Sequence, residues 1–177
     1  MTRIPVLTVD SAPEGSRDTV KALVGQFGKV LNIHGAMAHA PAVLETYAAI
    51  QEALQHTGTF DAKTREAIAL AVGNVGECSC CRAAHTAGGK APGLSSQETI
   101  DIRRGSVAEG KLAALLALVR EQEQHVGHVQ DSTWQGTLDA GWTDAELTET
   151  SAVVALNLFT NYFNHLVQTE LDHRRLR

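Results

Sequence analysis

Three cysteines and one histidine lie close together in the middle of the chain. Cys78, Cys80 and Cys81 stand in the run CSCC, and His85 follows four residues after Cys81. At about 100° per residue on a helix, Cys78 and Cys81 lie about 60° apart and His85 falls between them. Cys80 falls on roughly the opposite side of the helix. Two thiols and a histidine on one helix face suit disulfide chemistry assisted by a base.

The expected position of these residues on the helix favours a reactive thiol. A helix is predicted to begin at about Cys78, where backbone N–H groups and the positive end of the helix dipole lower the pKa of a thiol. His85 can accept or relay the proton that the thiol releases. Glu66 is the candidate that orients His85, because a carboxylate beside the apolar run AIALAV is costly unless it finds a hydrogen-bond partner.

Two other classes of function stay open at this point. C-x-x-C pairs also bind zinc, and Cys, Cys and His are zinc ligands, although the sequence has no second C-x-x-C or H-x-x-x-H to supply the fourth ligand. On this interpretation the chain would be a non-catalytic oligomeric module that senses oxidants or binds zinc. Alternatively, Glu66 and His85 act as acid and base in a decarboxylase or isomerase.

The elements that must position these residues are predicted to be helices throughout. The chain has 177 residues, of which 44% are hydrophobic and only 5% aromatic, and no segment is a convincing strand. We expect an all-α, single-domain helical bundle over residues 17–177, preceded by an arm over residues 1–16. That arm is expected to be disordered or to pack on a neighbouring subunit, and the basic end Arg174–Arg177 to be solvated.

Capping residues and glycines predict where the helices begin and end. Helices are expected at Ser16–Phe27, in the segment before Pro41, from Pro41 to Gly58, from Asp61 to an end marked by Gly73 and Gly76, from Glu77–Cys78 to Gly88–Gly89, after the Ser95/Glu98 capping box, over 111–126, from Trp134 to Ala140, and from the Thr143/Glu146 capping box to about Thr169.

Composition and charge exclude several kinds of partner. The net charge is −5, with no basic stripe, so no nucleic acid partner is expected. The longest apolar run, around Ala67–Val75, is too short to span a membrane, and the N-terminal residues lack a secretory h-region. A cytoplasmic location is therefore expected. His34 and His39 are expected to be core or surface residues rather than part of a substrate cavity.

The spacing of the candidate site residues resembles a known signature. Glu66, then eleven residues, then the CSCC run, then three residues and His85 is similar to the pattern of alkyl hydroperoxidase D-like proteins, within the carboxymuconolactone decarboxylase superfamily. Segments GKVLNIHGAMAHAPAVLETY, TREAIALAVGNVGECSCCRAAHTA and AGWTDAELTETSAVVALNLFTNYFNHLVQTELD extend the resemblance over about residues 27–172. It departs at Cys80, where relatives usually have Tyr or His; a small, buried, space-filling role is expected for this third thiol.

The resemblance implies an all-α fold, a homo-oligomer such as a trimer or hexamer, and a peroxidase cycle without a cofactor or a metal. By that analogy Cys81 attacks a small hydroperoxide or disulfide, Cys78 resolves the product, and Glu66 with His85 relays protons. A dithiol reductant, such as a lipoylated or thioredoxin-like protein, then reduces the disulfide. Superfamily members that decarboxylate lactones generally lack the cysteine pair, so the resemblance favours the peroxidase.

Overall fold

The computed structural model describes residues 2–108 and 110–172, and every regular element in those ranges is a helix. The predicted all-α fold class is thus confirmed, whereas the expectation for Arg174–Arg177 lies outside the described residues. The helices are α1 (Glu14–Phe27), α2 (Asn32–Met37), α3 (Pro41–Thr57), α4 (Ala62–Val75), α5 (Ser79–Gly88), α6 (Ser96–Arg104), α7 (Lys111–Gln124), α8 (Asp131–Asp139) and α9 (Asp144–Val167). Within the same ranges, none of them is both long and apolar enough to cross a bilayer.

The helix caps follow the predicted chemistry. Asp61 accepts the backbone N–H of Thr64 at 2.7 Å and so caps α4. Ser95 and Glu98 form a reciprocal capping box at the start of α6. Thr143 and Glu146 make the corresponding pair of hydrogen bonds at the start of α9.

Two helices begin earlier than predicted. Helix α1 begins at Glu14 and α8 at Asp131, rather than at Ser16 and Trp134. Both additions place a carboxylate in the first turn, where it interacts favourably with the positive end of the helix dipole. The division of the chain into an arm of residues 1–16 and a domain of residues 17–177 stays a prediction.

The described chain groups into two compact units, and the described residues of the first are 2–56 and 162–172. Its N-terminal segment is attached to the same chain, because Arg3 donates its backbone N–H to Val167 O at 2.8 Å and Leu7 does so to Gly35 O at 3.1 Å. A Cβ on Gly35 would lie 2.5 Å from Leu7 O, so only glycine permits this approach. The expectation that the arm is disordered is wrong for these residues, whereas its packing on a neighbouring subunit stays a prediction.

His34 is a core residue of this first unit. Its side chain is 1% exposed, and its Nε2 lies 3.2 Å from the Tyr47 hydroxyl, which also accepts a hydrogen bond from Gln51. The ring packs against those of Phe27 and Tyr47, with centroids 5.1 Å away in both cases. Burial lowers the pKa of His34 to about 4. The expectation of a core role is confirmed for His34, whereas His39 is exposed and bonds Pro5 O.

We predict that acidification destabilises the protein through His34. The pKa of His34 is 6.5 in the unfolded chain and about 4 in the folded protein. Between these pH values the unfolded state binds a proton at His34 and the folded state does not. Stability from this group is therefore complete above pH 6.5 and declines as the pH falls, by about 3 kcal/mol at most. Urea denaturation of wild type and His34→Gln between pH 7.5 and 4.5 measures it; the variant is expected to lose less stability. Equal pH dependence in both proteins would contradict the assignment.

The second unit, residues 57–161, is built around α4. Every residue from Ala67 to Gly73 is buried, as the apolar sequence predicted, because α4 packs against α5, α6 and α7. Helix α7 contributes the buried side chains Leu115, Leu116, Leu118 and Val119. All four predicted site residues belong to this unit.

Candidate active site

A tight turn joins α4 to α5 and delivers Cys78. The Glu77 N–H bonds Asn74 O at 3.2 Å and the Cys78 N–H bonds Gly73 O at 3.0 Å, which is the hydrogen-bond pattern of a Schellman motif. Glu77 occupies the left-handed position of that motif, with φ 51°, where glycine is the usual residue. The turn thus fixes Cys78 relative to the end of α4.

Cys78 caps the helix that carries Cys81. The Cys78 Sγ accepts the backbone N–H of Cys81 at 3.3 Å, as Ser or Asp does at other helix starts. The two sulfur atoms lie 2.6 Å apart, close to each other but not joined as a disulfide. A sulfur that accepts an N–H at the positive end of a helix is stabilised when it carries negative charge. The arrangement suits a dithiol that forms a disulfide with little movement.

Gly73 allows α5 to approach α4 closely. A Cβ added to Gly73 would lie 3.2 Å from the Cys81 Cβ and 3.5 Å from the Arg82 nitrogen. The prediction that Gly73 helps to end α4 is wrong, because the helix continues to Val75 and Gly76 is its C-cap. Gly73 is required for packing rather than for helix termination.

Glu66 and His85 lie together at the other end of the helix pair. The His85 Nδ1 is 3.0 Å from Glu66 Oε2. Because a carboxylate only accepts, Nδ1 carries the hydrogen, and in the neutral ring Nε2 is left as the acceptor. Gly88 borders Glu66, whereas Gly73 borders Cys81, so α4 and α5 run antiparallel. The sequence predicted both this contact and this antiparallel arrangement.

The four residues differ in exposure in a way that separates their possible roles. Cys78 is 1% and Cys81 is 4% exposed, whereas the His85 and Glu66 side chains are 28% and 26% exposed. The thiols are therefore shielded from water, while the His85–Glu66 pair can exchange protons with it. Cys80 is only half-buried, so the expected buried, space-filling role for that thiol is wrong.

Two further polar residues lie beside this turn and were missed at the level of sequence. Glu123 on α7 and Asn161 on α9 both border Gly76. Glu123 sits in the polar run EQEQ, and Asn161 in a mixed stretch of α9, so neither was distinguished from a solvated helix residue. The one sequence signal for Glu123 would have been its place on the apolar face of α7, because a charged residue on such a face is expected to have a special role. Over residues 2–108 and 110–172, no group of three or more His, Cys, Asp or Glu side chains is arranged to hold a metal ion.

We predict that Gly73→Ala destabilises the protein, although Gly→Ala within an exposed helix normally stabilises by about 0.5–1 kcal/mol. The new methyl group would press on the Cys81 Cβ, and overpacking of this kind costs about 1–3 kcal/mol. Gly25→Ala is the matched control, because Gly25 lies in α1 with no atom near its Cβ position. Urea denaturation should show opposite signs for the two variants. A gain in stability for both would refute the close contact.

The part of the chain that is similar to a known protein family includes the candidate site. Residues 41–124 match the model of the carboxymuconolactone decarboxylase family, a range that includes Glu66, both cysteines of the pair and His85. Among curated proteins, none has a sequence that matches this chain.

Solved structures share the fold across nearly the whole chain. An uncharacterized peroxidase-related protein with an alkylhydroperoxidase AhpD core, from Ralstonia eutropha JMP134, is 19% identical with a TM-score of 0.86, over 97% of this chain and 92% of that one. A peroxidase-related protein from Silicibacter sp. TM1040 is 17% identical with a TM-score of 0.81, over 96% and 91%. The debrominase Bmp8, bound to 2,3,4-tribromopyrrole, is 11% identical with a TM-score of 0.78, over 97% and 94%.

At these identities the structural similarity establishes the fold alone. Residues 41–124 are similar to the carboxymuconolactone decarboxylase family, and the chain has the all-helical fold of the alkylhydroperoxidase AhpD core.

Proposed function

We propose that the protein is a thiol-dependent peroxidase that reduces small hydroperoxides with the Cys78–Cys81 pair and a Glu66–His85 proton relay. The observation that carries the proposal is the pair of buried sulfur atoms 2.6 Å apart at the start of α5. His85 lies one turn beyond Cys81 on α5 and is the base. Its hydrogen bond to Glu66 on α4 fixes the orientation of its ring. The peroxidase-related names of the structural neighbours agree with this chemistry.

In the first half-reaction a thiolate attacks the hydroperoxide. Cys81 gives its proton to the His85 Nε2, and its sulfur then attacks the terminal oxygen of the hydroperoxide. The O–O bond breaks, the sulfur is oxidised to a sulfenic acid, and the departing alkoxide takes the proton from His85 to leave as an alcohol. Glu66 holds the ring and stabilises the imidazolium while it carries that proton.

In the second half-reaction Cys78 resolves the sulfenic acid. The Cys78 sulfur attacks the Cys81 sulfur and the S–O bond breaks, and the departing hydroxide takes up the proton that the Cys78 thiol releases and leaves as water. Stabilisation of charge on Cys78 by the Cys81 N–H favours this step. An external dithiol, such as a lipoylated or thioredoxin-like protein, then reduces the disulfide and is itself oxidised. Such a cycle belongs in a reducing compartment such as the cytoplasm.

The other candidate functions differ from the peroxidase in the residues that they need or in the products that they form, and this separates them experimentally. A disulfide reductase needs the same two thiols but no sulfenic acid. A thiol sensor oxidises once and does not turn over. A decarboxylase that uses Glu66 and His85 keeps its activity when both cysteines are replaced.

We predict that Cys81→Ser and Cys78→Ser each lower peroxide turnover at least about 100-fold, because each removes one of the two electron-donating sulfurs. Cys80→Ser, which removes a neighbouring thiol of the same helix turn, is the control and should stay within about threefold of wild type. Turnover is measured with tert-butyl hydroperoxide and dithiothreitol. Unchanged turnover in Cys78→Ser and Cys81→Ser would overturn the proposal.

We predict that Glu66→Gln lowers kcat by about 10- to 100-fold, because a neutral amide no longer stabilises the imidazolium form of His85. The loss should fall on kcat and leave KM within about threefold of wild type, because the pair serves proton transfer and not substrate binding. Glu45→Gln, an exposed carboxylate of α3, is the charge-matched control and should keep the wild-type kcat and KM. Equal kcat in Glu66→Gln and wild type would contradict the role of Glu66.

A further inference from the structure

A carboxyl and an amide group press on the backbone that leads into Cys78. A Cβ built on Gly76 would lie 2.6 Å from the Asn161 Nδ2 and 3.2 Å from the Glu123 Oε1. Gly76 is the C-cap of α4, two residues before Cys78. The Asn161 Nδ2 also donates to Val72 O at 3.4 Å, in the last turns of α4. Glu123 and Asn161 therefore converge on the turn that holds the dithiol.

Two buried oxygen atoms of this cluster have no hydrogen-bond partner. They are the Glu123 Oε2 and the Asn161 Oδ1. An ionised carboxylate only accepts hydrogen bonds, so leaving its oxygen buried without a donor is costly. Burial raises the pKa of Glu123 to about 7, and the nearby Arg120 guanidinium offsets part of that rise. The negative end of the α4 dipole acts in the same direction as burial.

We propose that Glu123 is a positioning residue of the thiol site, and that its carboxyl group controls how readily the Cys78–Cys81 pair ionises. With a proton on Glu123, the turn before Cys78 has no negative charge pressed against it, and the thiolate forms easily. Without that proton, a carboxylate lies beside the same turn and disfavours a second negative charge at the start of α5. The coupling is reciprocal, so a thiolate also favours the protonated form of Glu123.

The charges on the surrounding elements leave this coupling in place. Arg120 lies on the same helix as Glu123 and attracts its carboxylate, which offsets only part of the effect of burial. Glu77, on the turn, is exposed to water, which screens its charge. Arg82 on α5 is half-buried and favours the thiolate, whichever state Glu123 adopts. On α9 the residue that meets Gly76 is the neutral Asn161.

The proposal rests on the thiol chemistry assigned to Cys78 and Cys81, and it is tested without peroxide turnover. The test measures alkylation of the two thiols by iodoacetamide from pH 5.5 to 9, in the Cys80→Ser background, with peptide mass spectrometry to follow each site. Glu123→Gln keeps the size of the side chain and removes its charge. Glu121→Gln removes a carboxylate of the same helix that is equally half-buried but bonds the Gln130 N–H instead of bordering Gly76, and it is the matched control.

The expected result is a difference between the pH profiles. At pH 5.5 wild type and Glu123→Gln should react at the same rate, and at pH 8 the variant should react about two to ten times faster, because it carries no negative charge beside the turn that leads to Cys78. Glu121→Gln should follow wild type. The proposal fails if Glu123→Gln and wild type share one profile, or if Glu121→Gln accelerates alkylation equally. Thermal melting confirms that each variant is folded, and a failed coupling leaves the peroxidase proposal to its own test.

Discussion

The contact between α4 and α5 is the constraint on which the candidate site depends. Gly73 has no side chain, so the Cys81 Cβ can approach the α4 backbone at ordinary contact distance. Because the helices run antiparallel, the same contact brings Glu66, at the beginning of α4, to His85, near the end of α5. The Schellman turn between them makes Cys78 both the last residue of one connection and the cap of the next helix. One packing arrangement therefore sets the thiol pair and the proton relay together.

Burial divides this site into a part that is shielded from solvent and a part that is partly exposed to it. The thiols lie in the interior, where a charge is costly unless a donor such as the Cys81 N–H offsets the loss of water. The Glu66–His85 pair is partly exposed, so the proposed relay has contact with the solvent. Glu123 adds a third kind of group, a carboxyl whose proton is retained to about neutral pH because it is partly buried. The proposed peroxidase must form a thiolate in the protein interior while protons reach it from the solvent, and the buried thiols beside a partly exposed Glu66–His85 pair suit both requirements.

The sequence was sufficient for the all-helical fold and for the placement of Cys78, Cys81 and His85 on one short segment, because both depend on local periodicity. The capping residues Asp61, Ser95 and Thr143 act within one turn, so their sequence patterns predict the helix starts directly. The spacing of Cys78, Cys81 and His85 predicts one helix face for the same reason. Even the contact of Glu66 with His85 followed, since a short connection between two helices makes them antiparallel neighbours.

Features that depend on contacts between distant segments could not be predicted. Gly73 looks like a helix terminator in the sequence, and only the approach of α5 shows that it serves packing. Glu123 lies at the polar end of an amphipathic helix, and its burial results from the contact of α7 with α4. The attachment of the N-terminal segment, through Leu7 and Gly35, joins parts of the chain that no periodicity connects.

The central claim is that Cys78 and Cys81 exchange electrons with a hydroperoxide. The most direct measurement is to treat the reduced protein with one equivalent of tert-butyl hydroperoxide, quench with an alkylating agent and map the cysteine linkages by mass spectrometry. The account predicts a Cys78–Cys81 disulfide formed together with one equivalent of alcohol, while Cys80 is recovered alkylated. Hydroperoxide consumption that leaves Cys78 and Cys81 as thiols, or a disulfide that contains Cys80, would contradict it.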